Sequence, residues 1–260
     1  MIADLIFTAL GGFLILLFAF LPLERTFPAK PDQRILRTEW KVDLAYFLGQ
    51  TFLWSSLAVM VLSAVALLCR WSTPSFFREW IYSQPWWLQM METIFLSDLC
   101  TYWGHRLSHR VKFLWKFHSV HHSAEHLDWI AAYREHPFDG IYTQLTSNVP
   151  IFILGFPLET IGGFIVFRGM WAVFIHSNVK IPLGPLRYLF GAPELHHWHH
   201  ERARHHSCNF ANVSPLMDII FGTFYCPKDK QPKDFGIRDP IPRDYLKQIF
   251  YPFRLKKKTR

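Results

Sequence analysis

Fourteen histidines occur in this 260-residue chain, and all of them fall between His105 and His206. Most stand in clusters with fixed gaps. His105 and His109 form an H-x3-H, His118, His121 and His122 form an H-x2-H-H, and His196, His199 and His200 repeat that pattern. On a helix, gaps of three and four place side chains on one face, a turn apart. Two or three ring nitrogens from each cluster can therefore converge on an ion. Imidazole is a borderline ligand that suits iron, zinc, copper and nickel. A zinc site uses about four ligands, three of them from the protein when it is catalytic. Eight clustered histidines exceed that number, and two ions sharing the set is the simplest account. A metalloprotease helix is excluded by spacing. H-E-x-x-H after His200-Glu201 would need histidine where Arg204 stands, and His205 comes one position too late.

The elements that must position these rings are apolar. Half of the chain is hydrophobic, and the apolar residues are unevenly spread. Residues 2–21 carry one charge, Asp4, and residues 44–68 carry none; each reaches the roughly 20 residues needed to cross a hydrocarbon core. The first stretch lacks a basic leader and a small-residue cleavage site, so it is expected to be retained as a span. Residues 86–104 form a third span containing Glu92 and Asp98, acids that face protein or function when placed in a membrane. Residues 141–175 are apolar again, interrupted by Gly155-Phe156-Pro157, and predict a hairpin of two short passes. The loop from Pro22 to Lys41 holds five basic residues and the loop from Arg70 to Pro85 only two, which puts the first in the cytoplasm. The expected fold is an all-α integral membrane protein: one domain of four to five transmembrane helices with a cytosolic, histidine-rich helical cap made of residues 105–140 and 176–260. All three clusters, with His136 and His176, then fall on the cytoplasmic side. The net charge of +8 and the basic tail from Arg254 to Arg260 fit anionic lipid better than nucleic acid. The four cysteines show no paired spacing and are expected to be reduced.

The succession of motifs resembles the fatty acid hydroxylase / sterol desaturase superfamily of membrane histidine-box oxygenases. The resemblance rests on the stretch from Asp98 to His109, on Trp115 to Ser123, on Arg134-Glu135-His136-Pro137, on His176-Ser177-Asn178, and on Pro193 to His200. It continues through Asn209-Phe210 and Asp218 to Thr223, so it covers roughly residues 90–225 with every box in order. It implies two metal ions, iron in the active protein with zinc as the substitute expected on purification, and O2 as co-substrate. It implies hydroxylation or desaturation of an unactivated C–H bond in a sterol, fatty acyl, sphingoid or alkylglycerol lipid drawn from the bilayer. Carried over residue by residue, the ligands are His105, His109, His118, His121, His122, His136, His176, His196, His199 and His200; His136 and His176 come from the resemblance rather than from spacing.

Ligand rings are normally oriented through their second nitrogen. Asp98, two turns before His105, is the first candidate for that role, with Asn178, Asn209, Asp218 and Glu125 as further ones. His126, His197, His205 and His206 are extra to the boxes and are expected at the surface or as hydrogen-bonding partners. The chain has no dinucleotide fingerprint and no cysteine cluster for iron–sulfur. Electrons are therefore expected from a partner, an acidic ferredoxin or a cytochrome b5-like protein with its reductase, docking on the basic face. The absence of a fused electron-transfer domain favours a bacterial inner membrane over the endoplasmic reticulum. Two other classes compete: a zinc-dependent membrane hydrolase, for which Glu125 or Glu201 would serve as base, and a non-catalytic metal carrier, which would need ionisable ligands strung along a transmembrane path.

Overall fold

The structure, a computed structural model, describes residues 2–202, 207–228 and 230–254. Within them every regular element is helical, and extended pairing is confined to two isolated bridges, Pro28 with Val179 and Glu201 with Phe235. His205, His206 and the basic tail beyond Arg254 lie outside the described residues.

The helices overrun the hydropathy limits, because hydropathy marks where an apolar environment ends and not where a backbone must stop coiling. Helix α1 (Ile2–Thr26) continues past Pro22. Helix α2 (Trp40–Gly49) starts ahead of the apolar run and joins α3 (Ser55–Ser72) through a π turn at Gln50–Trp54. The expected loop before the third apolar segment contains α4 (Ser75–Ser83). Helix α5 (Trp86–Arg110) runs on beyond Gly104 and carries both histidines of the first cluster on its last turns. Helix α6 (Lys112–His121) follows, then α7 (Pro137–Leu154) and α8 (Leu158–His176). Short helices α9 (Pro193–His199), α10 (Leu216–Ile220) and α11 (Tyr245–Phe250) complete the chain.

The break between α7 and α8 falls at Gly155, whose φ of +75° is left-handed and which ends α7 as glycine does at a helix C-terminus. A Cβ there would come within 2.5 Å of Arg78 Cγ. Both legs of this hairpin pack on α5; α7 also packs on α3, and α8 on α9. Ile81, Ile151, Phe152, Phe156, Ile161 and Phe164 seal its tip. The other end opens toward the histidines.

Polarity is inverted relative to a water-soluble globule. Thr93, Ser97, Asp98, Ser147, Asn148 and Thr160 are buried at 5% exposure or less, whereas Phe7, Phe18, Leu68 and Val166 are at least 68% exposed. Contiguous apolar surface on this scale needs a non-aqueous neighbour. Two helical stretches among the described residues, Ala9–Thr26 and Trp40–Cys69, are long and apolar enough to cross a membrane.

A buried ionic lattice joins segments that lie between the long helices. Arg37 donates to both oxygens of Asp128 at 2.7 Å and to Asp43 at 2.5 Å. Arg134 donates to Asp43 at 2.5 Å and to Glu39 at 3.0 Å. Burial alone would raise the Glu39 carboxyl. The His126, Arg134 and Arg37 side chains outweigh it and hold Glu39 down at about 2. This lattice ties the segment after α1 to the segment before α7.

Candidate metal centre

Nine of the ten histidines expected as ligands gather into two groups, His105, His109, His118, His122 and His199 in one, His121, His176, His196 and His200 in the other. Within each group the candidate donor atoms lie within 4.8 Å of one another. The spacing of the clusters explains the division. In the second box His118 and His122, one turn apart, enter the five-membered group, and His121 turns to the four-membered one. The third box does the converse: His196 and His200 share the four-membered group and His199 crosses to the other. Adjacent helical residues diverge by about 100°, so a neighbouring histidine pair serves two centres at once. The groups abut, with the rings of His122 and His200 stacked at 4.4 Å between centroids.

Backbone carbonyls and one carboxylate orient the rings. His105 Nδ1 donates to Phe210 O (2.8 Å), His121 Nδ1 to Arg134 O (3.0 Å), His176 Nδ1 to Ala172 O (2.7 Å) and His199 Nδ1 to Cys208 O (2.7 Å). His118 Nδ1 donates to Asp139 Oδ2 at 2.9 Å. Carbonyl and carboxylate oxygens only accept, so in each of these five rings the proton sits on Nδ1 and Nε2 is a bare lone pair.

The consequence is electrostatic. The Nε2 atoms of His121 and His176 lie 3.0 Å apart, and those of His105 and His118 lie 3.1 Å apart. In each pair two lone pairs face each other with no proton between them. A second proton is disfavoured, because burial and the neighbouring imidazoles hold His121, His122, His196, His199 and His200 well below the ordinary histidine value. His199 Nε2 and the Nδ1 atoms of His196 and His200 are buried without any hydrogen-bond partner. Neutral imidazoles whose lone pairs converge at this distance are satisfied together by a cation set between them. The residues present therefore fit a metal in each group.

A model of the fatty acid hydroxylase family matches residues 90–223, a stretch that begins in α5, closes after α10 and contains every histidine of both groups. The chain belongs to the fatty acid hydroxylase family. Among curated relatives, an ornithine lipid hydroxylase of Rhizobium tropici is 29% identical over 246 residues, covering 91% of this chain and 71% of that protein. Human alkylglycerol monooxygenase is 33% identical over 55% of this chain and 32% of its own length. A very-long-chain aldehyde decarbonylase of Oryza sativa is 31% identical over 52% of each chain. The chain thus spans most of the first relative and only a third to a half of the other two. No solved structure matches it.

Several residues singled out by this family's motifs take positions other than those expected. His136 stands outside both groups. Its Nδ1 accepts from the Phe138 amide at 3.2 Å, as the N-cap of α7, and its Nε2 donates to Ile249 O at 2.9 Å. Both ring nitrogens are engaged in holding structure. Asp98 does not reach a histidine ring. It accepts from the amides of Asn212, Val213 and Ser214 at 2.8–3.1 Å, because a buried carboxylate is best satisfied by successive backbone donors. Asp218 accepts from the Phe210 and Ala211 amides, and Asn209, at φ 54°, ties Leu195 to Tyr225. These three fix the loop whose carbonyls at Cys208 and Phe210 orient His199 and His105, so they act on the rings one step removed. Asn178 pairs with the Lys30 backbone, and Glu125 binds Arg202 and Arg243 near the surface. His197 is buried and donates to Ser177 O. His126 lies beside Glu39.

Sequence reasoning missed Asp139, the one carboxylate among the described residues that hydrogen-bonds a ring of the two groups. Its signal was its place three residues after His136, at the start of an apolar helix. The carbonyl acceptors have no signal, since a backbone oxygen is independent of residue type.

Proposed function

We propose that the chain is a membrane-embedded, O2-dependent di-iron oxidoreductase that hydroxylates an aliphatic C–H bond of a bilayer lipid, with His105, His109, His118, His122 and His199 holding one ion and His121, His176, His196 and His200 the other. The observation that carries this reading is the pair of lone-pair contacts, His121 against His176 and His105 against His118, at 3.0 and 3.1 Å. Iron bound there would supply activation of O2 and removal of hydrogen from an unactivated carbon, chemistry outside the reach of amino-acid side chains. The protein's own part is to set the Nε2 atoms of His105, His118, His121, His176 and His199 toward the centre in advance, through Asp139 and the four carbonyls. It also keeps bulk water away, with His122, His199 and His200 fully buried.

A cavity of about 180 Å³ touches both groups. It is lined by His105 and His118 of one and by His121, His176 and His196 of the other, and it extends between α5, α7 and α8. It is the place for the substrate carbon. Similarity to an ornithine lipid hydroxylase and to alkylglycerol monooxygenases supports a lipid with a polar head, and hydroxylation over desaturation. Helices α1, α2–α3 and α5 and the α7/α8 hairpin would make four to five passes, with the histidines at their cytoplasmic ends, as in a bacterial inner membrane. A groove of about 610 Å³ lined by Lys180, Arg187, Lys228 and Lys230 offers an acidic electron donor a basic surface on the cap.

The test is anaerobic iron loading in detergent, followed by O2 uptake with a chemical reductant and a total lipid extract. The expected result is iron-dependent uptake with a lipid product heavier by one oxygen atom. No uptake with any lipid fraction would overturn the assignment.

A further inference from the structure

The inner end of the same cavity carries charges that orienting the histidines does not require. Arg168 lies on α8 in the stripe Arg168, Ala172, His176, spaced by four, so it is two helical turns, about 12 Å along the axis, from a ring of the four-histidine group. It is 7% exposed. Its Nη2 donates to Gln144 Oε1 of α7 at 2.8 Å, and its Nε is buried with no partner. Glu135, just before α7, lines the same cavity; its side chain receives only a long contact from the Thr143 hydroxyl, at 3.5 Å. Arg168 and Glu135 lie within each other's electrostatic field, but neither makes a contact ion pair with the other or with any other described residue. An arginine inside a membrane helix bundle is costly and marks a pathway or a ligand, and a buried charge without a contact partner is more costly still.

The geometry points to a zwitterion receptor: Arg168 with Gln144 receives the carboxylate, and Glu135 the ammonium, of an amino-acid head on the lipid substrate. This rests on the lipid reading above and narrows it. Size agrees. A volume of about 180 Å³ lies below the roughly 300 Å³ at which pockets for whole ligands usually begin, so the cavity takes the head, and the acyl chain leaves between α7 and α8 toward the bilayer. Guanidinium binds carboxylate through paired donors, and the unpartnered Nε beside Nη2 is the edge that such pairing uses. The head is thereby seated beside the histidines, so the oxidised carbon lies on the head or next to it, and not far along an acyl chain.

Binding, read without turnover, tests this. Purified metal-loaded protein in nanodiscs of neutral lipid is titrated under argon with N-palmitoylornithine, with its methyl ester, and with its Nδ-acetyl derivative, and affinity is read by native mass spectrometry. The wild type is expected to bind the parent probe at least 10-fold tighter than either derivative. Arg168→Gln should abolish the acid-over-ester preference and keep the amine preference, and Glu135→Gln should do the reverse, both with metal content unchanged. Equal affinity of the wild type for all three probes overturns the proposal, whatever the variants' folding. Arg168→Gln retaining full discrimination against the ester overturns the carboxylate half, and Glu135→Gln retaining discrimination against the acetylated probe overturns the ammonium half. Discrimination in binding without any O2-dependent product would leave the receptor standing and remove the oxygenase assignment instead, so the two failures are distinguishable.

Discussion

Removing the Asp139 carboxylate should separate the two groups of histidines. Asp139 is 3% exposed and accepts from His118 Nδ1 at 2.9 Å. His118 Nε2 sits 3.1 Å from the corresponding atoms of His105, His109 and His122, at the middle of the five-histidine group. No residue of the four-histidine group depends on Asp139. Loss of a partner that orients a metal-bound histidine costs about 10–100-fold in affinity, about 1.4–2.8 kcal/mol. Asp139→Asn keeps an acceptor oxygen and loses the charge, so it should fall near the tenfold end. Asp139→Leu loses both and should fall near 100-fold. In a chelator titration followed by metal analysis, the wild type should release its two ions over one range. Asp139→Leu should release one ion at about 100-fold lower chelator and keep the other as the wild type does. Parallel weakening of both ions, or none, would refute the division of the rings and the role of Asp139.

Replacing His136 by alanine should leave the metal count unchanged while lowering stability by about 1 kcal/mol through loss of the α7 N-cap, measurable by unfolding in detergent; a lost ion would restore it as a ligand. Asp98→Ala strands three amides, of which the buried one, at Val213, costs about 1–3 kcal/mol, and hydrogen exchange at residues 212–214 should accelerate; unchanged protection would show that the loop is held without it. Acid should destabilise the metal-free protein. Histidines His121, His196, His199 and His200 have folded values well below 6.5, so below about pH 6.5 the unfolded chain binds protons that the folded chain refuses. Each such group then removes about 1.4 kcal/mol per pH unit until its folded value is reached. A melting temperature that is flat between pH 6.5 and 5 would contradict this.

The parts of the centre legible in the sequence are those written in side-chain spacing. The gaps of four, His105/His109, His118/His122 and His196/His200, are the ones whose rings share a group, whereas the gaps of three, His118/His121 and His196/His199, expected to converge as well, divide between the two groups. His176, alone at the end of an apolar run, had no spacing to announce it and was reached only through the family's motifs. His136 shows the converse. Histidine immediately before Pro137 at a helix start is a capping arrangement as much as a ligand motif, since proline suits the first helical position, and the capping role is the one its ring takes. Asp98 was expected to orient a ligand ring, but its partner lies 114 residues away in sequence, and tertiary contacts of that kind leave no local pattern. The helical class was readable from hydropathy, whereas helix ends were not: α5 continues through polar residues that coil as readily in water as in lipid.

Metal analysis of the wild type beside His121→Ala and His199→Ala tests the central claim most directly. With protein loaded anaerobically with iron and freed of loose metal, the wild type should hold two ions per chain. Each variant should hold one, and the survivor should differ between the two variants in its absorption spectrum, because the variants empty different groups. A wild type with one ion or none, or two variants that lose the same ion, would contradict a pair of histidine-built centres.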